Sequence, residues 1–216
     1  MKFLKNHFQL SLYLLVVIYT VGIATVLLGY ADDLMKLTPF NLLFASGILL
    51  YNAEGINRRY ISMFAIIAAS GYLIELIGII TGLIFGEYAY GSGLGLKLFD
   101  VPLIIGLNWA ILVFATAALM QQFLWPAWLK AAMAATLMVA YDFFLEPVAI
   151  NFDFWTWAGG SIPMQNYAAW WVIAFLMLLA TFKFVTNLKN RLAGYVIAIQ
   201  TLFFIILILK QGLSIG

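Results

Sequence analysis

Residues 127–150 read AWLKAAMAATLMVAYDFFLEPVAI, and this stretch decides the fold. Crossing the hydrocarbon core of a bilayer takes about 20 consecutive apolar residues in a helix, and the segment meets that length. After Lys130 near its start, its only charges are Asp142 and Glu146, both in its second half. A charge at mid-bilayer costs roughly 2.5–3.5 kcal/mol on insertion scales, so such residues face the bundle interior and mark a site by default. Asp142 and Glu146 are four residues apart and stack on one helix face. Pro147 withholds a donor from the Phe143 carbonyl, which predicts a bend or an end to the helix there.

Outward from this segment the chain repeats the pattern. The apolar stretches Phe8–Gly29, Leu37–Asn52, Tyr60–Ile84, Val101–Phe123, Ala127–Ile150, Met164–Thr186 and Leu192–Lys210 read as seven spans, the second being the shortest. The expectation is an all-α, polytopic transmembrane bundle forming one integral membrane domain over residues 1–216. Lys2 and Lys5 precede the first stretch as they would in a signal peptide. Its apolar part is too long for that role and no A-x-A site follows, so it reads as a span. Composition agrees: 65% of residues are hydrophobic and 9% charged, against about half and a quarter in soluble domains. There is no cysteine, and the one histidine, His7, precedes the first span. That excludes disulfides, thiolate chemistry, His-based metal sites and a Ser-His-Asp triad. With net charge +2 and no basic tract, no nucleic-acid partner is expected.

Charge asymmetry orients the bundle. With the N-terminus cytoplasmic, Lys2, Lys5, Arg58, Arg59, Lys130, Lys183, Lys189 and Arg191 lie inside, while Lys36, Lys97 and Lys210 lie outside. Eight against three fits the positive-inside rule and a multi-pass protein of the cell membrane. In this topology Glu75, Asp142 and Glu146 fall in the outer half, as do Asn108, Trp109, Gln165, Asn166 and Tyr167. Polar groups from four spans thus converge at one depth. Gly71, Glu75, Gly78, Gly82 and Gly86 are spaced by helical steps of four, three, four and four, so Glu75 lies on a glycine face and points at a close neighbour helix. Glu54, Asp100, Tyr88 and Tyr90 read as interfacial residues. Trp155 and Trp157, in the outer stretch Asn151–Pro163, read as an aromatic belt, with a lid over the site as the other reading.

Crowded, dry carboxyls do not all ionise. A neutral carboxylic acid beside an ionised one is the arrangement of a general acid with a partner. The rings of Trp109, Tyr141, Phe143, Phe144, Tyr167, Trp170 and Trp171 stand near in sequence, and desolvated ring faces attract cations by about 2 kcal/mol or more. An acid in an apolar, aromatic pocket suits protonation of a carbon–carbon double bond in a lipid.

The blocks ELIGIITGLIFGEYAYG (from Glu75), VPLIIGLNW (from Val101), YDFFLEPVAINFDFWTW (from Tyr141) and IPMQNYAAWW (from Ile162) resemble the CruF-type carotenoid hydratase family of integral membrane proteins. The resemblance runs from the third span to the sixth. It implies addition of water to the terminal double bond of an acyclic ψ end group, on an acyclic or monocyclic carotenoid, leaving a tertiary alcohol. Joined to the residue reading, it makes Asp142 or Glu146 the proton donor and the other its charge partner. Glu75, with Asn108 or Asn166, orients water. Asn108, Trp109, Tyr141, Asn166, Tyr167 and Trp170 line the substrate. Hydration is redox-neutral, so no cofactor and no metal are expected. A proton- or cation-coupled transporter is the alternative from another class, and a carotenoid end-group cyclase or isomerase is the nearest chemical rival. The oligomeric state is open.

Overall fold

The structure is a computed structural model describing residues 2–213, with side chains from His7 onward; Lys2 and Lys5 of the charge count lie outside the described side chains. Its helices are α1 (Lys2–Leu27), α2 (Ala31–Met35), α3 (Thr38–Tyr51), α4 (Arg58–Thr81), α5 (Ile104–Gln121), α6 (Ala127–Asn151), α7 (Met164–Phe184) and α8 (Ala193–Gln211). Four short strands interrupt them: β1 (Tyr88–Tyr90), β2 (Lys97–Leu98), β3 (Val101–Pro102) and β4 (Trp155–Trp157). Among the described residues six helices are long and apolar enough to cross a membrane. The protein is an all-α, polytopic membrane bundle.

The shortest of the expected spans becomes α3, with 14 residues. At 1.5 Å per residue that is about 21 Å, short of the ~30 Å hydrocarbon core. Pro39 in its first turn starts the helix where a missing N–H costs nothing. The chain before it, Leu28–Leu37, is partly coiled into α2 instead of lengthening α3.

Helix α5 is the axis of the bundle, and every residue from Asn108 to Ala117 is buried. A helix apolar all round belongs in such a position. Around it the other helices bury one face and leave a second apolar face outward, such as Leu73, Ile77 and Ile80 on α4. The glycine face of α4 works as close-approach packing: a Cβ on Gly71 would lie 2.5 Å from Cβ of Trp109, and one on Gly78 would lie 2.8 Å from the Phe85 ring. Gly82 and Gly86 do not continue that face. Their φ angles are +64° and +106°, and Gly82 terminates α4 in the left-handed conformation, which glycine adopts without Cβ strain. Pro147 does not end α6, which runs on to Asn151.

Two sets of contacts define the ends. At one end the Glu54 N–H donates to the Lys189 carbonyl at 2.9 Å, and Asn190 Nδ2 donates to the Leu49 carbonyl at 2.7 Å. His7 meets Tyr51 there. At the other end β1 and β4 form an antiparallel ribbon in which Tyr88 faces Trp157 and Tyr90 faces Trp155.

Candidate active site

Glu75 on α4, Asp142 and Glu146 on α6, Asn108 on α5 and Asn166 on α7 line one cavity of about 20 Å³. All five are buried, at 5% exposure or less. The expected convergence of polar groups from four helices is therefore present in the fold. The Asn166 amide donates to Glu146 Oε1 at 3.1 Å and to Asp142 Oδ2 at 3.3 Å, tying α7 to both carboxyls of α6. The Asn108 side chain lines the cavity with no hydrogen bond to any described residue, which leaves its amide available inside it.

The largest departure from the sequence reading is the outer ribbon. In a strand, alternate side chains share a face, so Tyr88, Tyr90, Trp155 and Trp157 all project from one side. They turn into the bundle rather than lying in an interfacial belt. The Tyr88 and Tyr90 hydroxyls donate to Glu75 Oε2 at 2.5 and 2.8 Å. The Trp155 and Trp157 indoles donate to Glu146 Oε2 at 2.9 and 3.0 Å. The belt reading of Trp155 and Trp157 and the interfacial reading of Tyr88 and Tyr90 are overturned, since all four side chains bond the buried carboxyls. Their signal in the sequence was the pair of tripeptides YAY and WTW, large–small–large in period two beside glycines, which marks strands.

Donors are distributed unequally among the three carboxyls. Glu75 also accepts the Trp109 indole N–H at 3.0 Å on Oε1, so it has three donors, and Glu146 likewise has three. Asp142 has the single long bond from Asn166, and its Oδ1 is buried without a partner among the described residues. No three Asp, Glu or His side chains among the described residues are grouped so as to hold a metal ion.

The other expected substrate residues divide. Trp109 and Trp170 stack at 4.1 Å between ring centroids, 21° apart, and Trp170 lines the carboxylate cavity. Tyr141 does not reach it. One residue along α6 turns its side chain by about 100°, and Tyr141 donates instead to Gln200 Oε1 on α8 at 3.1 Å. Tyr167 is half-buried against the Phe143 ring, 6.2 Å between centroids. Trp171 donates to Thr136 at 3.0 Å on an exposed face, and Phe143 is itself exposed. The rings at the carboxyls are thus those of the ribbon together with Phe85, Trp109 and Trp170.

A second, apolar cavity of about 360 Å³ adjoins the first, and Ile105, Asn108 and Trp155 line both. Its outer wall is the stretch from Leu34 to Phe44, where α3 begins late and the short α2 replaces helix.

Residues 37–215 match the family described as carotenoid biosynthesis protein. The chain is 29% identical over 184 residues to bisanhydrobacterioruberin hydratase of Haloarcula japonica, an alignment covering 77% of this chain and 61% of that protein. This chain therefore spans about three-fifths of that relative's length. No solved structure matches it.

Proposed function

The chain belongs to the carotenoid biosynthesis protein family, and from that premise we propose that it hydrates the terminal double bond of an acyclic carotenoid end group. The name of the Haloarcula japonica relative and the resemblance of the four sequence blocks point the same way. One observation carries the reading: a small cavity walled by three carboxyls meets a large apolar one at Ile105, Asn108 and Trp155. Hydration has two substrates of those two kinds. A water needs roughly 10–15 Å³ of such space and two to four polar partners, which the carboxyl chamber offers. The apolar cavity suits an isoprenoid end group whose last double bond comes to the junction.

The hydrogen bonds distinguish the carboxyls. An ionised carboxylate is acceptor-only, and three donors each on Glu75 and Glu146 suit anions. Asp142, with one bare buried oxygen, is the carboxylic acid and the proton donor. Its O–H bond breaks as the proton bonds the less substituted alkene carbon. The tertiary carbon, left positive, bonds the oxygen of the chamber water, held by Asn108 and Glu75. The proton released by that water returns to Asp142, so atoms and charge balance and the acid is restored. General acid catalysis supplies about 10²–10⁴-fold, too little for so weak a base as an alkene. Glu146 and the faces of Trp155 and Trp170 supply the fixed electrostatic stabilisation of the cation.

Purified protein given an acyclic carotenoid in deuterium oxide enriched in heavy oxygen tests this reading. The expected product carries one non-exchangeable deuterium and one labelled hydroxyl per hydrated end. An unhydroxylated ring would assign a cyclase instead, and recovery of unchanged substrate would overturn the hydratase reading.

A further inference from the structure

The large cavity is not uniformly apolar. Tyr19 of α1, Asn41 of α3, Tyr141 of α6 and Gln200 of α8 stand together in its wall, and none of them lines the carboxyl chamber. They form one linked set: Asn41 Nδ2 donates to the Tyr19 hydroxyl at 2.7 Å, the Tyr141 hydroxyl donates to Gln200 Oε1 at 3.1 Å, and Gln200 also meets the Tyr19 hydroxyl. Tyr19, Tyr141 and Gln200 are each at most 5% exposed. Asn41 Oδ1 is buried and takes no hydrogen bond from any described residue.

Four polar side chains from four helices are a costly way to line a lipid-like cavity, and their pairing leaves one acceptor over. With Asn41 Nδ2 donating to the Tyr19 hydroxyl, Oδ1 is the atom of the amide left unpaired. The group that satisfies it must donate a hydrogen bond and must tolerate apolar walls on every other side. An alcohol on a branched hydrocarbon has that chemistry; an alkene does not.

We propose that Asn41, oriented by Tyr19, is a hydroxyl-binding subsite for an isoprenoid alcohol, and that the alcohol it takes is the one formed at the carboxyl chamber. This rests on the hydration reading. An acid that protonates an alkene also dehydrates a tertiary alcohol left beside it, since each step is reversible. A second place for the hydroxyl, in the cavity that holds the rest of the chain, draws the product away from Asp142. Tyr141 links the two places: it is the residue before Asp142, and the two turn to different cavities.

The test is a binding comparison on the Asp142→Asn protein, so that no turnover intervenes. The ligands are 2,6-dimethyloctan-2-ol and 2,6-dimethyloct-2-ene, the alcohol and alkene forms of one short end group, each referred to its partitioning into protein-free micelles. The alcohol is expected to bind about tenfold more tightly, the factor for one satisfied buried hydrogen bond. Asn41→Leu in the same background should erase that preference and keep alkene affinity within about twofold, which also shows that the cavity still forms. Tyr19→Phe, which frees the Asn41 amide to turn, should weaken the preference without removing it. No preference before substitution would mean that water satisfies Asn41 and would overturn the proposal. So would a preference that survives Asn41→Leu and disappears with Asn108→Leu, which would keep the hydroxyl at the junction. Because nothing here turns over, a failure of isotope incorporation and a failure of this preference are separate results.

Discussion

Asp142 and Glu146 stand one turn apart on α6, yet Glu146 Oε2 takes two indole N–H groups while Asp142 Oδ1 takes none. That asymmetry makes their conservative variants behave differently. Asp142→Asn keeps the Asn166 contact and removes the transferable proton, so turnover should fall by about 10²-fold or more with little change in melting temperature. Glu75→Gln should lose stability as well as activity. It weakens three bonds to a charged acceptor, each worth about 1.5–3 kcal/mol, and two of them hold the ribbon. Glu54→Gln should leave turnover unchanged, since Glu54 touches the Lys189 backbone at the far end. Turnover and thermal unfolding measured together on the three variants check this; a fully active, well-folded Asp142→Asn protein would remove Asp142 from the donor role. The three carboxyls and both asparagines were legible in the sequence because charge and amide in an apolar run have few other uses. Ranking Asp142 over Glu146 was not, because the ranking depends on donors from the ribbon.

The β1–β4 ribbon is the element on which the site depends most. A two-stranded ribbon is marginal by itself, and here it is pinned from both faces. Inward, four aromatic side chains bond Glu75 and Glu146. Outward, the Ser92 N–H and hydroxyl donate to Asp153 Oδ2 at 2.8 and 2.7 Å. The Asp153 backbone bends through φ +56° to make this clamp, and Gly91 lies so close to it that a Cβ would overlap the Asp153 carbonyl oxygen. Gly91→Ala should therefore shift the ribbon and lower turnover by about 10²-fold, as ångström-scale misplacement does. The Ser92 backbone and hydroxyl donors, with Lys97 nearby, hold the Asp153 carboxyl below its usual range. A depressed folded value means that the clamp contributes fully above the ordinary carboxylate value of about 3.9 and is lost as pH falls through the lower folded value. Acidification below about pH 4 should then weaken the clamp, whose hydrogen bonds lose their charge assistance, and shift tryptophan emission slightly. Asp153→Asn, which still accepts from Ser92 and does not titrate, should abolish that transition. An unchanged transition in the variant would assign it elsewhere. The sequence hid this element because an aromatic tripeptide next to a span has the composition of an interfacial belt, and only cross-strand pairing shows which way the rings turn. The quartet around Asn41 was hidden for a related reason: one amide or hydroxyl per span carries no signal until packing brings four spans together.

At the scale of the whole molecule, the bundle has two chemically different ends joined by α5. One end gathers the loops after α3 and α7 through Glu54, Lys189, Asn187 and Asn190. The other gathers the loops after α4 and α6 through the ribbon and the Ser92–Asp153 clamp. The long spans were legible because each helix needs its own apolar run, but seven were expected and six helices among the described residues are long enough to cross; the second became the short α3, and its consequence, the large cavity, required the fold. The loop pairings constrain topology independently of charge: reporters after Arg59 and Lys189 must agree with each other, and reporters after Gly95 and Ser161 must give the opposite side. Charge then chooses between the two orientations. Arg58, Arg59, Lys183, Lys189 and Arg191 cluster at the first end, against Lys97 alone in the two loops of the second. The positive-inside rule predicts the first end in the cytoplasm, which would leave the carboxyl chamber in the outer half of the membrane. Fusions at these four positions should read inside, outside, outside and inside in chain order. If Gly95 and Ser161 both read cytoplasmic, the bundle stands but the chamber faces inward, and the water that the reaction consumes enters from the cytoplasm. If Gly95 and Ser161 disagree with each other, the ribbon itself cannot exist in the inserted protein, and the roles given to Glu75 and Glu146 fall with it.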